Sequence, residues 1–179
     1  MSEEKSKEPW KDRMALATVF LAVCATFSTF KGGGYSTLSV INQALASDQW
    51  AFYQAKSLKQ HMQEFQLEQL QLQRLNIAPD SSVAKAYEQH IAEGQTKMEK
   101  YEREKTEISD KAKGFEAQRD EAKRHGKPFG IAVIFLQVAI LLNSIAGLMN
   151  AKRIWWTAIP VGITGIIFFA DGFFLFLTL

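Results

Sequence analysis

The sequence predicts an all-α membrane protein: three transmembrane helices, with a long antiparallel helical (coiled-coil) hairpin inserted between the first and the second. Three observations carry this. Three stretches of membrane-spanning length are almost free of charge. The segment between the first two, 31–127, holds 15 Lys/Arg, 14 Asp/Glu and a single proline, which is the composition of long helices rather than of a globular core. Within that segment apolar residues recur at alternating steps of three and four, the spacing of a coiled-coil seam.

The chain opens with a polar N-terminal tail, 1–13, carrying Lys5, Lys7, Lys11 and Arg13. The run MALATVFLAVCATFSTF follows at 14–30, the first predicted span, at the short end of spanning length. A charged front and an apolar run also describe a signal peptide. Here, however, Phe27, Thr29 and Phe30 crowd the place where small residues would mark a cleavage site, so a retained helix is expected. The second and third spans are 129–150 and 154–177, the latter with one charge, Asp171. They are joined by the basic turn Ala151, Lys152, Arg153, and Trp155 and Trp156 follow as interfacial anchors.

A single cysteine, Cys24, excludes an intrachain disulfide and a cysteine-based zinc site. A net charge of +2, with no basic face interleaved with aromatics, gives no argument for nucleic acid.

In the middle segment, NIAPDSSVAKA reads as a helix break at Pro79 followed by a capped start at Asp80, Ser81 or Ser82, so the hairpin tip is expected near 76–81. The second arm carries the stripe Tyr87, Ile91, Gly94, Met98, Tyr101, Lys105, Ile108, Ala112, Phe115, Arg119, Ala122. The first arm offers Leu38, Ile41, Leu45, Asp48, Phe52, then Ala55, Leu58, Met62, Phe65, Gln69, Leu72, with a register slip between Phe52 and Ala55. Antiparallel pairing of these two stripes sets Phe65 beside Ile91, Met62 beside Gly94, Leu58 beside Met98 and Ala55 beside Tyr101. Asp48 and Lys105 break separate stripes at nearby levels, which makes them a candidate register-fixing ion pair. Trp50 and Tyr53 lie beside the seam as a candidate assembly contact. Gly32, Gly33 and Gly34 are expected to end the first span and act as a hinge.

A carboxylate within a span costs a few kcal/mol and normally has a partner. Counting depth from the common side places Asp171, Lys31 and Gln137 at one level, a candidate membrane polar cluster that serves either helix packing or a pore mouth. Small residues at sevens, such as Ala15, Ala22 and Thr29, mark faces for close helix approach. The short basic turn and the basic tail favour the cytoplasm for their side, which puts the hairpin on the periplasmic side.

The run FSTFKGGGYSTLSVINQALASDQWAFYQAKSLKQ, with an apolar helix before it and two after the polar middle, resembles the bacterial membrane-protein family catalogued as domain of unknown function 4337. The Lys-Gly-Gly block and ASDQWAFYQAKS are the most specific parts. The resemblance extends over nearly the whole chain and implies a bacterial inner-membrane protein; it implies no activity.

An enzyme is not expected. His61, His90 and His125 lie at different helical levels and assemble no metal triad or nucleophile-base pair, and KGGG lacks the strand and the Gly-Lys-Ser/Thr ending of a phosphate loop. No cofactor is expected. Two readings remain: a membrane-anchored coiled-coil scaffold or assembly protein that self-associates in the lipid bilayer, or a subunit of a small oligomeric channel with Asp171 near its mouth.

Overall fold

The computed structural model describes residues 9–177, and they form three helices: α1 (Pro9–Arg74), α2 (Ser82–Leu148) and α3 (Lys152–Phe174). No strand occurs among the described residues. Each helix contains a stretch long and apolar enough to cross a membrane. Most of the polar tail expected at 1–13, with Lys5 and Lys7, lies outside the described residues; α1 is helical from Pro9.

The breaks fall where backbone chemistry demands them. Between α1 and α2, residues 75–81 carry Pro79, which offers no N–H to a helix. The Arg74 guanidinium donates to the Ile77 carbonyl at 3.2 Å, and Ser81 Oγ accepts the Ala84 N–H at 3.0 Å as a helix cap. Between α2 and α3, Asn150 takes a left-handed φ of 52°. The Ala151 N–H reaches Ala146 O at 3.0 Å and the Asn150 N–H reaches Gly147 O at 3.4 Å, the paired bonds of a Schellman stop.

Two boundaries differ from expectation. Gly32, Gly33 and Gly34 are not a hinge: α1 runs through them unbroken, and no glycine has a positive φ. The expected border between 127 and 129 is likewise absent, because α2 continues through Pro128. Helical glycine is tolerated here because some of these positions serve close approach. A Cβ on Gly32 would lie 3.1 Å from Phe129 Cβ, and one on Gly126 would lie 3.3 Å from Tyr35 Cβ.

The chain divides into two compact units, one formed up to Val40 and from Arg119 onward, the other by Ile41–Gln118. In the first, Leu21, Cys24 and Ala25 of α1 and Ala132, Leu136 and Ala139 of α2 form a buried core, with Val161, Ile166, Phe168 and Phe169 of α3 against it. Small residues let α3 approach. A Cβ on Gly165 would meet Leu136 Cγ at 2.8 Å, and one on Gly162 would meet Leu21 at 3.4 Å.

In the second unit α1 and α2 run in opposite directions. Trp50 meets Glu116, Lys56 meets Glu104, Gln60 meets Lys105 and Arg74 meets Glu88, one set of numbers rising as the other falls. The α2 residues turned inward follow the expected stripe, with Gly94, Ile108 and Ala112 buried. The α1 residues turned inward do not. Asn42, Ala46, Tyr53, Lys56, Gln60, Gln63 and Leu67 are buried or partly buried. Ile41, Leu45, Phe52, Leu58, Met62, Phe65 and Leu72 are exposed.

The pairings expected across the seam are therefore corrected. Gly94 faces Leu67 and Gln63 rather than Met62, so Phe65, Leu58 and Ala55 are not the inward partners of Ile91, Met98 and Tyr101. A rotation of about one residue, near 100° in a helix of 3.6 residues per turn, separates the two stripes of α1. The inner one carries the polar side chains Lys56 and Gln60 that bond to Glu104 and Lys105 of α2.

Candidate functional site

Asp171 is fully buried near the end of α3. Its carboxylate serves its own helix terminus. Oδ1 accepts the Leu177 N–H at 2.7 Å, and its backbone carbonyl accepts the N–H of Leu175, a residue in the left-handed conformation, also at 2.7 Å. Its second oxygen, Oδ2, is buried without a partner. The expected polar cluster does not assemble: Lys31 and Gln137 are both exposed, and neither bonds to Asp171. Lysine at the end of an apolar run can extend its ammonium outward, which removes the reason for it to turn in.

The histidine that sequence spacing set aside occupies this end of the unit. His125 donates from Nδ1 to the Gly172 carbonyl at 3.0 Å, while Nε2 lies 3.4 Å from Glu121 Oε1. Its ring stacks on Tyr35 with centroids 5.0 Å apart, and Tyr35 in turn lies against Phe129 at 6.1 Å. One side chain on α2 thus fastens the last turn of α3 and packs on α1. The available signal was its place four residues before Phe129, on the same face of α2.

At the other end, Asn143 Nδ2 donates to Thr18 Oγ1 at 3.0 Å, and Thr18 donates to the Met14 carbonyl at 2.8 Å. This is a polar link between α1 and α2 inside their apolar stretches. Ser28, also fully buried, has an Oγ without a partner.

In the second unit the expected pair of Asp48 and Lys105 is not formed. Asp48 is exposed; the Lys105 ammonium donates to Gln60 Oε1 at 2.9 Å, lies 3.4 Å from Glu102 and sits 5.3 Å from the Tyr53 ring. The glutamine of the inner α1 stripe satisfies it without a buried ion pair. Trp50 and Tyr53 do come together, edge to face at 5.5 Å, and the Trp50 indole N–H donates to Glu116 at 2.9 Å. Lys56 lies over both the Phe52 and Tyr101 rings and binds Glu104. That hydrogen bond, with the positive charges of Lys56, Lys100 and Lys59, holds the Glu104 carboxyl below the usual carboxylate range. Hydrogen bonding to the Arg119 guanidinium does the same for Asp120.

Among the described residues no group of three or more His, Cys, Asp or Glu is placed to hold a metal ion. A family model described as domain of unknown function (DUF4337) matches residues 10–175. No curated protein and no solved structure matches the chain.

Proposed function

The chain belongs to the DUF4337 family, and from that premise and the geometry above we propose that it is a membrane-anchored coiled-coil scaffold that associates with further copies of itself. It is read as a non-enzymatic protein of the bacterial inner membrane, with 31–127 forming a hairpin on the periplasmic side. The observation that carries the proposal is the outward stripe of α1. Ile41, Leu45, Phe52, Leu58, Met62, Phe65 and Leu72 keep between 38% and 65% of their surface open, in two runs of seam spacing separated by the slip after Phe52. Removing the exposed half of such a side chain from water yields about 1 kcal/mol, so seven such residues are a substantial incentive for a partner helix. A second copy offers the same stripe. Trp50 and Tyr53, expected as an assembly contact, instead face α2 through Glu116 and Lys105 and lie off this stripe.

The test is the mass of the detergent-solubilised full chain by light scattering, before and after Leu58→Glu with Met62→Glu. The wild type is expected as an oligomer and the variant as a monomer of unchanged helicity. A wild-type monomer, or an oligomer indifferent to both changes, overturns self-association through this stripe. The channel alternative has less support, since Asp171 is buried while Lys31 and Gln137 are exposed.

A further inference from the structure

A cleft of about 680 Å³ opens in the first unit between the α1 and α2 helices, from Ser28 to Val40 on one side and from Ala122 to Gly130 on the other. Three features of it point the same way. The first is its charge. Lys123 and Lys127 line it and no carboxylate does; the neighbouring acids are engaged elsewhere, Asp120 with Arg119 at 2.8 Å and Glu121 with Arg124 at 3.3 Å. The second is Ser28, 0% exposed, which lines the cleft with a hydroxyl that no protein group satisfies. An unmet hydroxyl in apolar surroundings is costly, and an acceptor on a ligand would relieve it.

The third is the glycines. Those at the α1–α2 contact are tight, as Gly32 and Gly126 show against Phe129 and Tyr35. Gly33 and Gly130 also line the cleft, yet a Cβ on either would meet nothing within 4 Å. Close packing inside the protein therefore does not account for these two. They leave a smooth, open wall.

Along its length the cleft changes character. Its Ser28 and Gly130 end lies within the charge-free runs, and its lysine end lies just outside them. An occupant must then be an amphiphile, apolar at one end and anionic at the other. We propose that this cleft holds one anionic phospholipid, its phosphate on Lys123 and Lys127, an ester carbonyl accepting from the Ser28 hydroxyl and its upper acyl chain along Gly130. The site rests on the reading of the chain as membrane-spanning, and it is independent of self-association. Two lysines at a membrane surface both attract an anionic headgroup, so a preference of about tenfold or more over a zwitterionic lipid is expected.

The experiment uses the full chain reconstituted in mixed phosphatidylcholine and phosphatidylglycerol vesicles. The lipid retained per chain after detergent extraction is read by native mass spectrometry. The wild type is expected to retain phosphatidylglycerol over phosphatidylcholine at about ten times their ratio in the bulk. Lys123→Gln with Lys127→Gln should bring the ratio to that of the bulk. Gly130→Leu, whose Cβ would meet nothing within 4 Å and whose branches would fill the wall of the cleft, should abolish retention with helicity and oligomer mass unchanged. Displacement of the lipid by inorganic phosphate alone, or a change of oligomer mass in Gly130→Leu, would overturn the proposal in favour of a free anion or a second copy. Alkaline carbonate washing of the vesicles separates the failures. A chain that stays in the membrane yet shows no enrichment overturns the lipid site alone; a chain that washes off overturns the membrane reading with it.

Discussion

Phe129 presses its ring against the backbone of Gly172 so closely that a Cβ there would lie 2.7 Å from Cζ. The ring is fully buried and is also met edge-on by Phe173 at 5.0 Å. It has no direction in which to yield. Gly172→Ala is therefore expected to destabilise the first unit by about 1–3 kcal/mol, the usual cost of overpacking. Gly33→Ala, which meets nothing, should be neutral or slightly stabilising in a helix. Thermal melting of the two variants side by side checks the contrast.

The Trp50 to Glu116 bond predicts a measurable coupling between α1 and α2. Trp50→Phe keeps the aromatic surface against Tyr53 and removes the donor, which should cost about 1 kcal/mol. Combining it with Glu116→Ala should add little more, since both changes remove one interaction. Fully additive losses in a double-mutant cycle would sink the coupling.

Glu104 gives the second unit a pH dependence of known sign. Its folded carboxyl titrates below the ordinary glutamate range because Lys56 binds the ionised form. Its contribution is complete above that ordinary range and is lost as pH falls through the lowered folded value. Glu104→Gln should lower stability at neutral and alkaline pH, flatten the acid limb of the profile and leave stability below the lowered folded value unchanged. Since the carboxylate is solvent-accessible, added salt should weaken the effect.

Thr18 and Asn143 form a hydrogen bond between apolar stretches of α1 and α2. Thr18→Val, close to isosteric, should lower stability in detergent by about 0.6–2 kcal/mol, the range found for such bonds inside membranes. Unfolding titrations in mixed micelles provide the measurement.

The three apolar stretches were legible because charge is excluded from them over a countable length, and that signal needs no knowledge of neighbours. The inward face of α2 was legible for a related reason: its stripe is regular and is bounded by charges on the other faces. The inward face of α1 was not. An apolar stripe such as Phe52, Leu58, Met62 and Phe65 says that a helix face avoids water, but not which surface covers it. The stripe with Asn42, Gln60 and Gln63 looks like solvated surface until Tyr101 and Lys105 are set opposite.

The glycines carry a similar ambiguity. Gly32, Gly33 and Gly34 read equally as a turn and as room for a neighbour, and only the position of Phe129 decides in favour of the second for Gly32. Asp171 was legible as an anomaly but not in its bonding, because the acceptor role it plays depends on where residues 175–177 fold back. His125 was passed over because ligand-spacing rules look for other titratable groups, whereas its partners are a ring and a backbone carbonyl.

The tryptophans divide unevenly between the two units, and this gives the molecule a built-in optical label. Trp10, Trp155 and Trp156 follow one another at ring separations of 6.0 and 6.2 Å in the first unit, while Trp50 alone belongs to the second. With the three clustered indoles replaced by phenylalanine, the remaining emission would come from a single fluorophore whose N–H is held by Glu116. Its spectrum would follow the fate of 41–118 directly, without a dye and without interference from the apolar stretches.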